Sequence, residues 1–292
     1  MKAGPERNAW LAAMPVVFVL IWSTGFIVAR LGMPHAPPMK FLLLRYALSV
    51  LCFAAWTVLA RAALPLGLQQ YRHLAVTGVL MHAGYLGGVW SAVKLGMGAG
   101  LAALLVGLQP VLTAAWLASR GTAVSGRQWS GLALGLAGLA LVVWDKLTLG
   151  EVHAANFLLA LLALLSITVG TLYQKRFVQP CDVRSANMVQ LAAAALVTLP
   201  LALLESEPMG WGMPLFSALA WSVLVLTLGG SSLLYLLIQR GATTSVTSLL
   251  YLVPPCTAVL AWVLFAEPLA LATIAGMALT AFGVSLVVRS PA

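Results

Sequence analysis

Apolar runs of about twenty residues, broken by charges, prolines or glycines, recur along the whole chain. They place ten spans: Trp10–Ala29, Phe41–Ala60, Leu74–Val93, Ala99–Ser119, Gln128–Trp144, Asn156–Tyr173, Met188–Leu204, Leu215–Ile238, Ser245–Ala266 and Leu269–Val288. Each approaches the roughly 20 residues that a helix needs to cross a hydrocarbon core of about 30 Å. The runs do not alternate polar and apolar positions, so the pattern predicts helices rather than the strands of a membrane barrel.

The chain also repeats itself. Gly96–Val143 returns as Gly241–Val288 at an offset of 145 positions, with Gly96 on Gly241, Pro110 on Pro255, Gly131 on Gly276 and Gly138 on Gly283. The same offset sets Gly25 on Gly170 and Arg30 on Lys175. An apolar chain matches itself by chance at Leu and Ala, but less readily at glycines, prolines and cations. The repeat therefore divides the chain into 1–146 and 147–292, with five spans in each half. Five is odd, so the second half enters the membrane upside down relative to the first. The expected fold is all-α and integral to the membrane, with ten helices as two inverted repeats around a central cavity. That architecture is typical of secondary transporters, whose substrate site lies near mid-bilayer between the repeats.

Composition narrows the function. Hydrophobic residues make up 62% of the chain and charged residues 8%, with a mean hydropathy of +1.00. A soluble domain carries about 25% charged residues. The spans consume the length and leave nothing for a soluble catalytic domain. A net charge of +9 raises the question of nucleic acid, but the cations fall singly or in pairs between apolar runs, without a patch. Their distribution sets the orientation instead. With the N-terminus inside, Lys2, Arg7, Arg61, Arg72, Arg120, Arg127, Lys175, Arg176, Arg184, Arg240 and Arg289 are cytoplasmic; Arg30, Lys40, Lys94 and Lys146 are outside. Both termini are then cytoplasmic, and Trp10–Ala29 reads as a retained first span rather than a cleaved signal. Cys52, Cys181 and Cys256 are too scattered for a disulfide framework or a metal site.

Several positions inside the spans carry candidate chemistry. Pro110 lies mid-way through the fourth span, and Pro254 and Pro255 mid-way through the ninth. A proline inside a helix removes a backbone hydrogen bond and bends or opens the helix. Freed carbonyls at membrane depth need protein or a wet cavity, which Gln109 could help to line. Trp22, Ser23 and Thr24 form one candidate pocket wall; the alternative is that both hydroxyls bond their own helix. His82, the one histidine placed inside a span, shares a helix face with Tyr85. It is read either as a helix contact or as a proton relay. Ser231 with Tyr235 and Ser248 with Tyr251 pair hydroxyl and ring on shared faces, which suits a moderately polar ligand or ordinary packing. Arg45 is the one cation inside a hydrophobic run. It either snorkels to the outer interface, the favoured reading, or faces inward and attracts a carboxylate.

Absences complete the reading. No span interior carries Asp or Glu, which counts against a pump for cations and against obligatory proton antiport. There is no Walker A sequence, no HExxH and no GxSxG elbow, so the expectation is no enzyme, no cofactor and no metal.

Trp22-Ser23-Thr24-Gly25-Phe26, then Arg30, Pro38 and Arg45, resemble the opening of an EamA-type domain of the drug/metabolite transporter superfamily. The Gly96…Pro110…Gly131…Gly138 pattern and its copy ending in Glu267-Pro268-Leu269, Gly276 and Gly283 do so too. The resemblance covers nearly the whole chain and is closest to the YddG-like branch of bacterial amino-acid exporters. It implies a ten-helix basket with spans 1, 3, 4, 6, 8 and 9 around the cavity, spans 5 and 10 outside, and alternating access by helix rocking. The small multidrug pumps of the superfamily have a first-span glutamate where this chain has Ser23 and Thr24. The resulting expectation is an inner-membrane exporter of aromatic amino acids, methionine, threonine and similar small metabolites. It would be monomeric, facilitative and without nucleic-acid partners. A carrier of sugar-phosphates or a non-transporting membrane scaffold are the alternatives.

Overall fold

The computed structural model describes residues 5–121, 125–148, 150–233 and 252–288. Among them the chain is helical, without strands. This is what lipid dictates: with no water to bond the backbone, each N–H and C=O must be satisfied within its own segment. The helices are α1 (Pro5–Gly32), α2 (Pro38–Leu59), α3 (Leu68–Gly78), α4 (Tyr85–Lys94), α5 (Ala99–Val106), α6 (Gln109–Ser119), α7 (Gly126–Thr148) and α8 (Ala154–Phe177). They continue as α9 (Val183–Leu204), α10 (Met213–Ala220), α11 (Val253–Phe265) and α12 (Leu271–Val288). Two π-helical segments are built in: π1 (Val79–Gly84) joins α3 to α4, and π2 (Trp221–Gly230) extends α10. Among the described residues, six helical stretches are long and apolar enough to cross a membrane, and three shorter apolar ones accompany them.

The prolines act at the backbone as their chemistry requires, though not at one uniform place. The fourth span breaks at Gly107–Leu108, between α5 and α6. Pro110 has no N–H for the Val106 carbonyl and its ring crowds that turn, so the chain tightens through Leu108 N–H to the Leu105 carbonyl at 3.1 Å. Pro254 and Pro255 sit differently: they occupy the first turn of α11, where backbone N–H groups need no helical partner. Residues 234–251 ahead of them lie outside the described residues. The two proline sites meet, since a Cβ on Gly107 would stand 2.9 Å from Pro254 Cγ.

Glycines set how closely the helices approach. α7 and α12 pack antiparallel on a glycine seam. A Cβ on Gly138 would lie 2.5 Å from the Gly276 carbonyl oxygen, and one on Gly283 would lie 2.6 Å from that of Gly131. The offset of 145 carries Gly138 onto Gly283 and Gly131 onto Gly276, so these two contacts are one contact made twice with the halves exchanged. α2 and α9, also offset equivalents, pack antiparallel: Glu205 beyond the end of α9 bonds the Met39 and Lys40 N–H groups at the start of α2, each at 2.9 Å. Phe18, Phe41, Tyr46, Phe53 and Trp90 are fully buried, while Leu51, Val58, Leu196 and Leu203 are among the large apolar side chains on the outside. An apolar exterior over an apolar core suits a lipid solvent.

Candidate functional site

The two π segments mark the site. Moving Val79–Gly84 forward by 145 positions gives 224–229, which lies inside Trp221–Gly230. The same rare departure from α-helix therefore stands at equivalent places in both halves; such segments concentrate at functional sites. Small residues admit π1 into a crowded place. A Cβ on Gly78 would stand 2.1 Å from the Gln190 carbonyl oxygen, and one on Gly84 would stand 2.6 Å from Ser166 Oγ. A wider helix turn shifts carbonyls out of their normal bonds. In π1 the Tyr46 hydroxyl donates to the His82 carbonyl at 2.9 Å; in π2 the Thr227 hydroxyl donates to the Ser222 carbonyl at 2.8 Å.

Arg45 reaches π2 from the middle of α2. Its Nε and Nη2 both donate to Thr227 Oγ1, at 3.2 and 3.1 Å, and its guanidinium lies over Trp90, 5.9 Å from the ring centroid. Trp90 is in turn stacked on Phe41 at 4.4 Å. Arg45 is 7% exposed, so it does not snorkel to an interface as expected; Thr227 and the Trp90 face hold it inside. Among the described residues no carboxylate pairs with it, and the ionisable groups acting on its charge are the phenols of Tyr46 and Tyr85. A buried cation costs several kcal/mol unless an anion or strong acceptors meet it. One threonine oxygen and a ring face are a thin shell for a guanidinium with five N–H donors.

The halves mirror this contact. The offset places Arg45 on Gln190 and His82 on Thr227. Where Arg45 bonds Thr227 of π2, its counterpart Gln190 packs against π1, the segment that carries His82. The ring of His82 is 6.1 Å from that of Tyr46. All six residues of π1 are partly solvent-accessible, although the segment packs between α8 and α9. Arg45, His82 and Tyr85 are thus brought together, and Tyr46, Trp90, Gln190 and Thr227 complete their cluster.

Other candidates lie elsewhere. Ser23 is fully buried, with its hydroxyl on the Val19 carbonyl at 2.8 Å and its own carbonyl receiving Thr257 Oγ1 at 3.3 Å. The Thr24 hydroxyl donates to the Ile21 carbonyl at 2.6 Å and receives Trp221 Nε1 at 2.9 Å. Both hydroxyls therefore serve their own helix and its neighbours, and Ser23 lines no pocket wall. Trp22 is half-buried beside Phe18, 5.3 Å between ring centroids. Gln109 donates to Thr171 Oγ1 at 2.9 Å, bridging α6 and α8. Ser231 is partly buried, and Tyr235, Ser248 and Tyr251 lie outside the described residues. His82 is not the one histidine within a span, because the third helix begins at Leu68 rather than Leu74. That start takes in His73, whose Nδ1 lies 2.8 Å from the Tyr173 hydroxyl.

Two ends flank the cluster. At the carboxylate-rich end, Glu267 meets Arg30 at 3.6 Å and accepts from the Ala99 N–H at 3.2 Å, capping α5. Ala266, with φ of +53°, turns Glu267 into that place. Lys94 meets Glu207 at 2.5 Å, and buried Lys146 meets Glu151 at 2.8 Å. Gly98 makes room for both acids: a Cβ there would be 2.9 Å from Glu267 and 3.4 Å from Glu151. A cleft of about 20 Å³ remains between them, room for a water and not for a metabolite. At the other end Asp182 caps α9 and holds Arg184 through both carboxylate oxygens, at 2.9 and 2.6 Å. That guanidinium keeps Asp182 below the usual carboxylate range. Gln70 there donates to the Gln179 carbonyl at 2.9 Å.

Comparison with known proteins adds the context. Residues 9–144 and 155–289 each match the profile described as the EamA-like transporter family. A relative named "Probable amino-acid metabolite efflux pump" in Salmonella typhimurium is 29% identical over 202 residues, 69% of this chain and 64% of the relative. Its namesake in Escherichia coli strain K12 is 28% identical over 187 residues, 64% of this chain and 60% of the relative. The "Uncharacterized inner membrane transporter YedA" of the same strain is 26% identical over 188 residues, with the same coverage. Less than two thirds of each relative's length is therefore matched. A crystal structure of a protein 20% identical in sequence superposes with a TM-score of 0.65, over 94% of this chain and 95% of that one, which establishes likeness of fold.

Proposed function

This chain belongs to the EamA-like transporter family, so it is a membrane transporter and not an enzyme, and from that premise we propose that it exports amino acids and similar small metabolites. Export proceeds by alternating access across the inner membrane, by facilitated diffusion rather than obligatory proton coupling. The two matched stretches are the two repeats, 1–146 and 147–292, with the second inverted. The reciprocal glycine contacts of α7 with α12 and the antiparallel pairing of α2 with α9 support that reading. With both termini cytoplasmic, the ion-paired carboxylate end is the outer gate and the Asp182–Arg184 end faces the cytoplasm.

The observation that carries the substrate class is Arg45, a buried guanidinium without a carboxylate partner among the described residues. A carboxylate arriving with the substrate completes its shell. Tyr85, beside Arg45, takes the side chain. The efflux-pump relatives favour the same class of cargo. A single central cation suits a carboxylate better than the greater charge of a phosphate ester. The protein works as a monomer.

The test is uptake of labelled phenylalanine, methionine and threonine into liposomes holding the purified protein, with no ion gradient. The reading expects saturable uptake above protein-free liposomes. Uptake that begins only when a proton gradient is imposed would overturn facilitated diffusion, and sugar-phosphate uptake without amino-acid uptake would overturn the cargo.

A further inference from the structure

The offset of 145 relates the pair Arg45 and Thr227 to the pair Gln190 and His82 position by position, but it does not relate their chemistry. Arg45 with Thr227 presents a cation and N–H donors. Gln190, packed on π1 beside Gly78, and His82 of π1 present no net charge when the ring is neutral, and they offer acceptors: the amide oxygen has two lone pairs and a neutral imidazole has one free ring nitrogen. Carbonyls displaced by the π turn lie beside them, the His82 carbonyl taken by Tyr46 among them. Unwound carbonyls at mid-membrane are a known way to meet a cation without a fixed negative charge. A small ligand lying between the two pairs therefore meets donors at one end and acceptors at the other.

Resting on the amino-acid reading above, we propose that this cluster recognises the zwitterion itself, with Arg45 taking the α-carboxylate and Gln190 with His82 taking the α-ammonium. The arrangement selects by rejection as well as by attraction. A bare amine brings no carboxylate to shield it from Arg45 and is repelled. An acid lacking the amine leaves buried acceptors unmet. Only a ligand with both poles is neutral overall and satisfies both contacts, so it crosses the bilayer core without importing a net charge. Trp90, stacked on Phe41 under the guanidinium, and Thr227 act as positioning residues for Arg45. The span interiors hold no carboxylate to serve the ammonium, which is why the pole opposite Arg45 must be built from dipoles.

The experiment is inhibition of labelled L-phenylalanine uptake by L-phenylalanine, 3-phenylpropionate (no amine) and 2-phenylethylamine (no carboxylate) in proteoliposomes. The wild type should be inhibited by phenylalanine far more strongly than by either analogue. Residual transport or direct binding then reads the variants. Arg45→Gln should weaken phenylalanine and 3-phenylpropionate alike, by about 10- to 100-fold for a lost charge-assisted contact, and should strengthen 2-phenylethylamine. Gln190→Leu and His82→Phe should weaken phenylalanine by about tenfold and leave 3-phenylpropionate unchanged, with His82→Gln restoring part of the loss. Thermal unfolding in detergent separates misfolded variants from altered sites, and His82→Gln keeps a folded comparator. Equal losses of phenylalanine and 3-phenylpropionate in the Gln190 and His82 variants would overturn the proposal while leaving amino-acid transport intact. Wild-type protein indifferent to phenylalanine, methionine and threonine would sink the transport reading first and this inference with it.

Discussion

The third and eighth spans invite comparison, because each half of the chain bends the same helix in the same way and then equips it differently. π1 and π2 stand at offset-equivalent positions; Arg45 of α2 bonds π2, and its counterpart Gln190 of α9 packs against π1. Against π2 stands a guanidinium; against π1 stands an amide. Duplication copied the backbone device, and divergence changed the charge. In the proposed mechanism the repeated bends set how the helices rock, whereas the unmatched residues set what the site holds.

Breaking the charged side of the comparison should have the largest effect. Arg45→Gln makes the two positions chemically alike, and transport of phenylalanine should fall at least tenfold with the fold retained, measured as initial uptake rate against thermal unfolding. Moving the charge sharpens the point: adding Gln190→Arg to that variant should recover part of the rate if the halves are interchangeable about the site. Next comes the support of π1. Gly78→Ala forces a Cβ to within 2.1 Å of the Gln190 carbonyl oxygen, so backbone must shift. A loss of about 1–3 kcal/mol is expected for overpacking, seen as a lower unfolding midpoint. Thr227→Val removes the acceptor that holds Arg45, and the expected reduction in uptake is about three- to tenfold, smaller than for loss of the charge itself.

The smallest effects lie at the ends of the bundle. Asp182 is held below its usual range by Arg184, so its contribution is present above the unfolded carboxyl value near pH 4. It is lost as pH falls through the lower folded value. Asp182→Ala should cost about 1 kcal/mol as a lost helix cap at neutral pH, whereas Asp182→Asn should keep the cap. Both variants should flatten this part of the acid dependence of unfolding.

Much of this was legible in the chain. The apolar runs gave the helices, and the glycine offsets pointed to the reciprocal seam of α7 with α12, because membrane helices must be long and close-packed seams must be small. Two features were not legible. A helix between lipid and an apolar core is apolar all round, so no periodicity says which face Arg45 or Ser23 presents. One proved to be buried against Thr227 and Trp90, the other fully packed on its own backbone. The π segments depend on tertiary fit at Gly78 and Gly84, which composition does not encode. One signal did lie in the sequence: applying the offset of 145 to Arg45 and His82 leads directly to Gln190 and Thr227.

Alternating access around this two-sided cluster is tested most directly by counterflow. Liposomes holding the protein would be loaded with unlabelled phenylalanine and diluted into a trace of labelled phenylalanine, with no ion gradient. A carrier whose site faces one side at a time predicts a transient overshoot of label inside, decaying as the loaded pool drains. Label that rises monotonically, no faster than in unloaded vesicles, would mean an open path and would contradict the account.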